Sequence, residues 1–242
     1  MLNLTVGLQI NPERRNIKCY SKIDIKLLNI IILCPNNNTS QLEASLVNTT
    51  ITDWNTKVLV PYMPENVRKC IFNVAERLNL DVEAEDIVPN DVFILDKQEQ
   101  THGVESLPSD ITYQPISEKD VALVNSNWRN RFEGSDWLFR TLIKANFGYG
   151  IYKNEKLVSW VFRNEVGALT HLYTLEDHRA KGYAQELMKR LCNSMDRNKK
   201  VIAYCRRGNA PACRLYKSLG FEMYHEVRCY KNPSGLYGHL IN

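Results

Sequence analysis

Hydrophobic positions divide the chain into two halves, and each half mixes strand-like with helix-like segments. In the N-terminal half, the apolar runs at residues 23–33 and 56–60 predict buried strands, and the polar residues 34–40 between them predict a turn or loop. Residues 64–80 then carry apolar side chains at helical spacing, which predicts an amphipathic helix. The apolar positions are Val67, Cys70, Ile71, Val74 and Leu78. We therefore expect a helix packed on a sheet.

The C-terminal half has a denser and more regular pattern. Ser117 and Ser135 each precede an amphipathic segment and are expected to cap a helix. Three apolar segments separated by turns then predict three antiparallel strands, at residues 148–153, 157–162 and 166–174. Helical spacing returns after Gly182 and again after Asn209, and each of these helices is followed by a strand-like run, at residues 201–205 and 221–230. The order predicted is two helices, three strands, helix, strand, helix, strand.

Length and composition agree with two small domains in a globular protein of the α/β (α+β) class. The chain has 242 residues, of which 44% are hydrophobic and 24% are charged, so it is able to bury a sizeable core. The polar segment 97–110 contains Gly, Pro and many charged residues, and it is the expected domain boundary. We therefore predict an N-terminal domain over residues 1–105 and a C-terminal domain over residues 111–242.

Charge and cysteine content narrow the class of protein. The net charge is +4, from 31 Lys and Arg against 27 Asp and Glu, and no long run has one sign. This balance does not favour a nucleic-acid partner and suits a small anionic ligand better. Seven cysteines without a CxxC pair argue against a disulfide framework or a zinc site. No targeting or membrane-spanning segment is visible, so we expect no membrane partner and a cytoplasmic location, with a mitochondrial one left open.

Two short motifs in the C-terminal half carry a family resemblance. The first is Arg179-Ala180-Lys181-Gly182-Tyr183-Ala184, and the second is Asn209-Ala210-Pro211-Ala212 followed by Leu215-Tyr216 and Gly220-Phe221. Together with the element order, they resemble the GNAT acetyltransferase superfamily. Residues 157–162 and 173–184 are most similar to its glycine N-acyltransferase group and to relatives with the FR47-like domain. The resemblance covers about residues 111–230. It implies a mixed, mostly antiparallel sheet with helices on both faces, preceded by a smaller, degenerate GNAT-like domain.

The first motif places basic residues and a glycine where a helix begins. A helix N-terminus presents free N–H groups and a partial positive charge, and Gly182 lets the backbone approach an anion closely. An ordinary basic loop before a helix is the alternative. The resemblance implies that the loop holds coenzyme A, with acetyl-CoA or another acyl-CoA as co-substrate and no metal. The implied contacts are Leu172, Tyr173, Thr174, Arg179, Ala180, Lys181, Gly182, Tyr183, Ala184, Asn209 and Ala212.

The resemblance also implies catalytic roles. The strand from Ala168 to Thr174 is expected to splay from its neighbour and expose backbone groups to the acyl-pantetheine. Tyr216 matches the tyrosine that commonly protonates the leaving sulfur, although packing on the apolar face of its helix is the alternative. At the family's candidate glutamate base this chain has Ala168. His171 is therefore the preferred candidate base, Glu165 a weaker one, and water a third; if the strand alternates regularly, His171 faces opposite to Ala168.

These observations predict an acyl-CoA-dependent N-acyltransferase that acts by direct attack of an amine in a ternary complex. The acceptor expected is a small amine or amino acid, and the sequence leaves monomer and homodimer open. Arg206 and Arg207 either attract an acidic acceptor or form a solvated edge. Cys205 and Cys213 are expected to pack as small apolar side chains. The alternative from another class is a catalytically lapsed acyl-CoA-binding module with a regulatory or scaffold role.

Overall fold

The computed structural model describes residues 8–9, 27–30, 32, 34, 39–50, 52, 54, 57–80, 89–96, 102–131, 134–164 and 166–231. The strands in chain order are β1 (Leu8–Gln9), β2 (Leu27–Ile30), β3 (Lys57–Met63), β4 (Asn90–Leu95), β5 (Ile111–Pro115), β6 (Gly148–Lys153), β7 (Lys156–Arg163), β8 (Leu169–Thr174), β9 (Val201–Arg206) and β10 (Glu222–Lys231). The helices are α1 (Thr39–Val47), α2 (Glu65–Arg77), α3 (Val121–Ser126), α4 (Asp136–Lys144), α5 (Tyr183–Ser194) and α6 (Ala210–Ser218). No helix within the described ranges is long and apolar enough to cross a bilayer.

The chain forms two units, and unit 1 includes a strand segment from a distant part of the sequence. Unit 1 comprises Met1–Asn90 and Glu226–Asn242, and unit 2 comprises Asp91–His225. The two units meet after Asn90, whereas the polar segment expected as the domain boundary is residues 97–110. β4 belongs to unit 2 because Phe93 and Leu95 are buried in the core of that unit. Residues from 226 onward belong to unit 1 because the end of β10 pairs with β3.

Unit 1 has strands in the order β1-β2-β3-β10, with β2 parallel to β3. The helix predicted from apolar spacing is confirmed as α2, and Val67, Cys70, Ile71 and Val74 are all buried. The predicted loop at residues 34–40 is wrong at its end, because α1 begins at Thr39. Leu42 and Leu46, one helical turn apart, bury this short helix in the same core. Of the strand predicted at residues 23–33, the described part is β2 at 27–30 and the single residue 32.

Unit 2 has a mixed sheet with helices on both faces, as the resemblance implies. The strand order is β4-β9-β8-β7-β6-β5, and β5 to β8 form antiparallel pairs while β8 and β9 are parallel. Successive residues of β7 point to opposite faces. Val161 joins a core with α5 and α6, and its neighbours Trp160 and Phe162 join a second core with α3 and α4. The three predicted antiparallel strands are confirmed as β6, β7 and β8.

The two predicted serine caps have different outcomes. The Ser117 hydroxyl accepts a hydrogen bond from the Lys119 N–H at 3.4 Å, and it opens a 3-10 turn that leads into α3. Ser135 precedes α4, but its side chain makes no capping hydrogen bond. Its hydroxyl instead donates to Asn125 Oδ1 at 2.7 Å, so the prediction that it caps α4 is wrong. Burial explains the difference, because Ser135 is fully buried and Asn125 is the acceptor within its reach.

Candidate functional site

The strands β8 and β9 of unit 2 diverge from each other. β8 pairs with β7 from Leu169 to Thr174, whereas its pairing with β9 in the described chain is restricted to Leu169 opposite Ala203. Burial decreases along β8 where the strands diverge: Leu169 is fully buried, and the side chains after Thr170 are half-buried. Parallel strands that separate leave backbone N–H and C=O groups free on their facing edges. The strand before the loop therefore splays, as the resemblance implies.

A β-bulge lies in β8 just beyond the point of divergence. Trp160 of β7 is opposite Tyr173, and Phe162 is opposite Thr170, so His171 and Leu172 together face one residue of β7. His171 has a φ of 54°, in the left-handed region. The extra residue breaks the regular alternation of side chains along β8. The expected opposite orientation of His171 and Ala168 therefore does not follow from strand periodicity.

The His171 ring lies among aromatic side chains. Its centroid is 5.6 Å from that of Trp128 and 5.4 Å from that of Phe139, in edge-to-face geometry, and Nδ1 is 2.8 Å from the Thr170 hydroxyl oxygen. Burial lowers the pKa of His171 to about 4. The ring is therefore neutral near pH 7. It is a base about 300-fold weaker than an ordinary imidazole, which reduces the suitability expected of it as a proton acceptor.

Two backbone carbonyl groups near the end of β8 already have side-chain partners. The Ser159 hydroxyl donates to Tyr173 O at 3.1 Å and lies 2.8 Å from the Thr174 hydroxyl. Arg179 Nε donates to Thr174 O at 3.1 Å. Leu172 packs against the α5 and α6 core. Of the three CoA contacts predicted on β8, Tyr173 and Thr174 are thus also anchored to the protein through their carbonyls.

The loop from Arg179 to Gly182 leads directly into α5 and leaves its backbone open. Ala180 has a φ of 57° and Gly182 a φ of 79°, and Gly182 is the residue that caps α5. The first hydrogen bond of the helix runs from Glu186 N–H to Gly182 O at 3.0 Å. Within the described chain, the amides of residues 180–185 have no partner. A Cβ at Gly182 would meet no atom within 4 Å, so the backbone is open to an approaching ligand.

Both basic side chains of this loop fold back onto it. Besides its bond to Thr174 O, Arg179 lies 5.4 Å from the Tyr173 ring centroid and 3.3 Å from a carboxylate oxygen of Glu176. Lys181 Nζ donates to Asp177 O at 2.6 Å. Tyr183 and Ala184, the first residues of α5, are half-buried. Arg179 and Lys181 therefore shape the loop as well as adding positive charge beside its free amides.

The second motif forms the start of α6. The Asn209 side chain accepts a hydrogen bond from Ala212 N–H at 3.3 Å, and Pro211 lies in the first turn, where no amide partner is needed. Farther along the helix, Tyr216 is 2% exposed, with ring centroids 5.3 Å from Phe93 and 5.5 Å from Phe221.

Burial raises the pKa of the Tyr216 phenol, and the nearby thiol groups of Cys205, Cys192 and Cys213 raise it further. The phenol therefore stays protonated across the physiological range. The burial of Tyr216 in the core is what the alternative to catalysis predicts, namely packing on the apolar face of its helix. Its protonated state is nevertheless the one that a general acid requires.

The position of the family glutamate is closed to solvent. Ala168 is fully buried in the turn between β7 and β8, where Asn164 N–H donates to Ala168 O and Ala168 N–H donates to Asn164 Oδ1, both at 2.9 Å. Glu165, the weaker candidate base, lies outside the described residues. No carboxylate is therefore available at the alanine position itself.

Two further expectations concerned charged and metal-binding residues. Arg207 is exposed but is not a free cation, because its Nη2 and Nε donate to Asp91 Oδ1 at 2.8 and 3.1 Å, and the Asp91 side chain is 10% exposed. Arg206 is exposed. Sequence reasoning missed this pair because the partners are 116 positions apart.

In the described chain, no group of three or more His, Cys, Asp or Glu side chains is arranged to hold a metal.

Comparisons with known proteins agree with this geometry. Residues 148–230 match the family model described as FR47-like protein. Among solved structures, a Drosophila protein determined by X-ray crystallography superposes with a TM-score of 0.73 at 18% identity, covering 96% of this chain and 75% of that one.

Two bacterial GCN5-related N-acetyltransferases are also similar in fold. The one from Sphaerobacter thermophilus has a TM-score of 0.53 at 16% identity, over 87% of this chain and 75% of that one. The one from Kribbella flavida has a TM-score of 0.50 at 11% identity, over 87% and 82%. No curated protein sequence matches the chain. Over residues 148–230 the chain thus matches the FR47-like family, and its fold is similar to that of GCN5-related N-acetyltransferases.

Proposed function

We propose that this protein is an acyl-CoA-dependent N-acyltransferase of the glycine N-acyltransferase-like type. It would transfer an acetyl or longer acyl group from the CoA thioester to a small amine or amino acid by direct attack in a ternary complex. The observation that carries this proposal is the loop before α5, where six consecutive amides lack partners beside a glycine whose Cβ position is open. Such a loop fits a pyrophosphate, since backbone N–H groups and the helix N-terminus both favour an anion.

The edge of β8 and the start of α6 are the parts of the proposed site that fit the pantetheine arm and thioester of the acyl-CoA. The diverging edge of β8, at Leu172, Tyr173 and Thr174, offers backbone groups to the pantetheine arm. We assign the other side of the same gap to the capped start of α6, at Asn209 and Ala212, because α6 directly follows β9. The thioester supplies the activated carbonyl, so the chain needs to orient the amine and manage two protons.

Proton transfer is assigned to Tyr216 and to water. The protonated Tyr216 phenol is able to donate to a departing thiolate, whose pKa lies below its own. His171 stays a candidate partner for the amine in its neutral form, although a pKa of about 4 leaves proton removal largely to water. The reaction would then be fastest for amines with a substantial neutral fraction at the working pH. We place the protein in the cytoplasm, with mitochondria as the alternative, and without a nucleic-acid or membrane partner.

A second candidate function is an acyl-CoA-binding module without turnover. Two observations favour it: the family glutamate position is the buried Ala168, and the imidazole nearest to it along β8 is a weak base. The loop before α5 supports CoA binding equally in both cases. The two functions therefore differ in amine-dependent release of CoA and not in affinity for CoA.

The test combines turnover with binding in the same samples. Thiol release is measured from acetyl-CoA and from a longer acyl-CoA across a panel of amino acids and amines, and CoA binding is measured by calorimetry. Wild type is compared with Tyr216→Phe and Gly182→Trp. Gly103→Trp controls for the bulk of the tryptophan side chain alone, because a Cβ at Gly103 also meets no atom within 4 Å but lies outside the loop and has no positive φ.

The enzyme proposal expects amine-dependent CoA release in wild type and Gly103→Trp, with loss of release in the other two variants. CoA binding should be lost in Gly182→Trp and kept in Tyr216→Phe. Binding without turnover for any amine would favour the binding module. Failure of wild type to bind CoA would reject both functions.

A further inference from the structure

Two cysteine side chains meet beside Tyr216, at the junction of β9 and α6. Cys205 is in β9 and is buried, whereas Cys213 is in the first turn of α6 and is partly exposed. Their Sγ atoms are 3.6 Å apart. A disulfide needs about 2.05 Å between the sulfurs, so closure requires an approach of about 1.5 Å. The sequence favoured simple packing for both residues, and the structure adds contact between their thiol groups.

The local backbone gives this pair room to close. The nine residues 205–213 form a short segment that turns at Gly208, which has a φ of 87° and an open Cβ position. The other contacts of Cys205 Sγ, to Arg206 O at 3.6 Å and to Asn209 O at 3.9 Å, are long and weak. Neither contact holds the thiol firmly in its present rotamer. Closure then requires a rotation about the side-chain bonds and a small shift of the turn.

We propose that Cys205 and Cys213 are an oxidation-sensitive dithiol that closes to a disulfide beside Tyr216. With a peroxide as oxidant, the partly exposed Cys213 thiol takes one peroxide oxygen to become a sulfenic acid, and one water is released. The Cys205 thiol then attacks that sulfur, the S–S bond forms, and a second water leaves. Overall, two thiols lose two electrons and two protons, and the peroxide is reduced to two waters. Burial raises the pKa of the Cys205 thiol, so Cys205 is not the thiol that peroxide oxidises first, and its attack on the sulfenic acid is the slower of the two steps.

Closure has a consequence for the proposed function, on which this step rests. Cys213 and Tyr216 are three residues apart and share a face of α6. Drawing the first turn of α6 toward β9 therefore displaces the Tyr216 phenol from its place between Phe93 and Phe221. The loop before α5 contains neither cysteine. Oxidation is expected to reduce acyl transfer while CoA binding persists.

The chemical test reads the bond directly in the full-length protein. Trypsin cleaves after Lys200, Arg206, Arg207 and Arg214, so the two cysteines fall in separate peptides, 201–206 and 208–214. After hydrogen peroxide, alkylation and digestion, mass spectrometry should find these peptides cross-linked as the main form of both, and dithiothreitol should release them. Cys34→Ser is the control for a partly exposed cysteine elsewhere, and it should keep the cross-link. In Cys205→Ala, Cys213 should instead be captured as a sulfenic acid.

Two results would overturn the proposal. One is peroxide-treated wild type in which Cys205 is still alkylated while Cys213 is over-oxidised, and the other is cross-linking of either residue to a different cysteine. For the functional step, chromatographic assay of the acylated product should show at least a tenfold fall on oxidation, reversed by dithiothreitol and absent in Cys205→Ala. An unchanged rate with the cross-link formed would refute the displacement of Tyr216. If reduced wild type shows no transfer, the proposed function fails, and the peptide result still decides the dithiol.

Discussion

The glycine at the start of α5 allows ligand binding to be separated from backbone strain. Gly182 and Gly167 have nearly the same conformation, with φ of 79° and 80°, and an added Cβ meets no atom within 4 Å at either position. One lies in the proposed pyrophosphate loop and the other in the turn between β7 and β8. The paired substitutions Gly182→Ala and Gly167→Ala therefore impose the same local strain and differ in their relation to the site.

The two effects have different expected sizes. A left-handed conformation costs an L-residue about 1 to 2 kcal/mol, so both variants should lose about that free energy of unfolding in urea titrations. At Gly182 the new methyl group also projects into the open space in front of the free amides. Loss of one amide-to-phosphate hydrogen bond, about 1.5 to 3 kcal/mol, weakens CoA binding by about 10-fold to 150-fold.

Calorimetric titration with CoA separates these contributions. Gly167→Ala should bind CoA within about twofold of wild type, and Gly182→Ala should bind at least about tenfold more weakly, at equal losses of stability. Equal CoA affinity in the two variants would show that the backbone at Gly182 does not contact the ligand. A large loss in Gly167→Ala alone would place the CoA site at the other end of β8.

Three further predictions concern buried groups in unit 2. The depressed pKa of His171 means that the unfolded chain binds the proton more tightly, so stability is highest above about pH 6.5 and should fall by about 2 kcal/mol between pH 7.5 and pH 5. His171→Asn, which tolerates the left-handed conformation, should remove that component from urea titrations at the two pH values. Arg207→Met should cost about 1 to 3 kcal/mol by leaving the Asp91 carboxylate buried without its partner, and a double-mutant cycle with Asp91→Asn should recover most of the loss. Gly148→Ala should lower the thermal midpoint by several degrees, because its Cβ would lie 2.6 Å from the buried Phe162 ring; an unchanged midpoint would show that the ring yields freely.

Local pattern predicts those parts of unit 2 in which burial repeats with a fixed period. The helix after Gly182 is an example, since Leu187, Met188 and Leu191 are all buried on one face. The loop before it is readable for a related reason: glycine at a position with φ of 79° is a requirement of local geometry. The sequence therefore locates the proposed CoA loop correctly on an N-terminal helix turn.

The missed features depend on contacts between distant residues. No local pattern marks the bulge in β8, because the residue with positive φ is His171 and not a glycine. The low pKa of that histidine arises from burial beside Trp128 and Phe139, which lie more than 30 residues earlier in the chain. β4 was likewise not predicted as part of the C-terminal domain, although Phe93 packs on Tyr216. Such properties follow from the assembled sheet and not from spacing along the sequence.

The pairing of the end of β10 with β3 bears on the order in which the protein can fold during synthesis. Unit 2 is one continuous segment, Asp91–His225, so its core can close as soon as about residue 225 is available. β3 of unit 1, by contrast, acquires its partner from residues 226–231 of β10, which are made after all of unit 2. Domains that come earlier in a chain commonly fold first on the ribosome. Here the sheet of unit 1 is completed only after unit 2 has been made, and β3 lacks β10 on its edge until then.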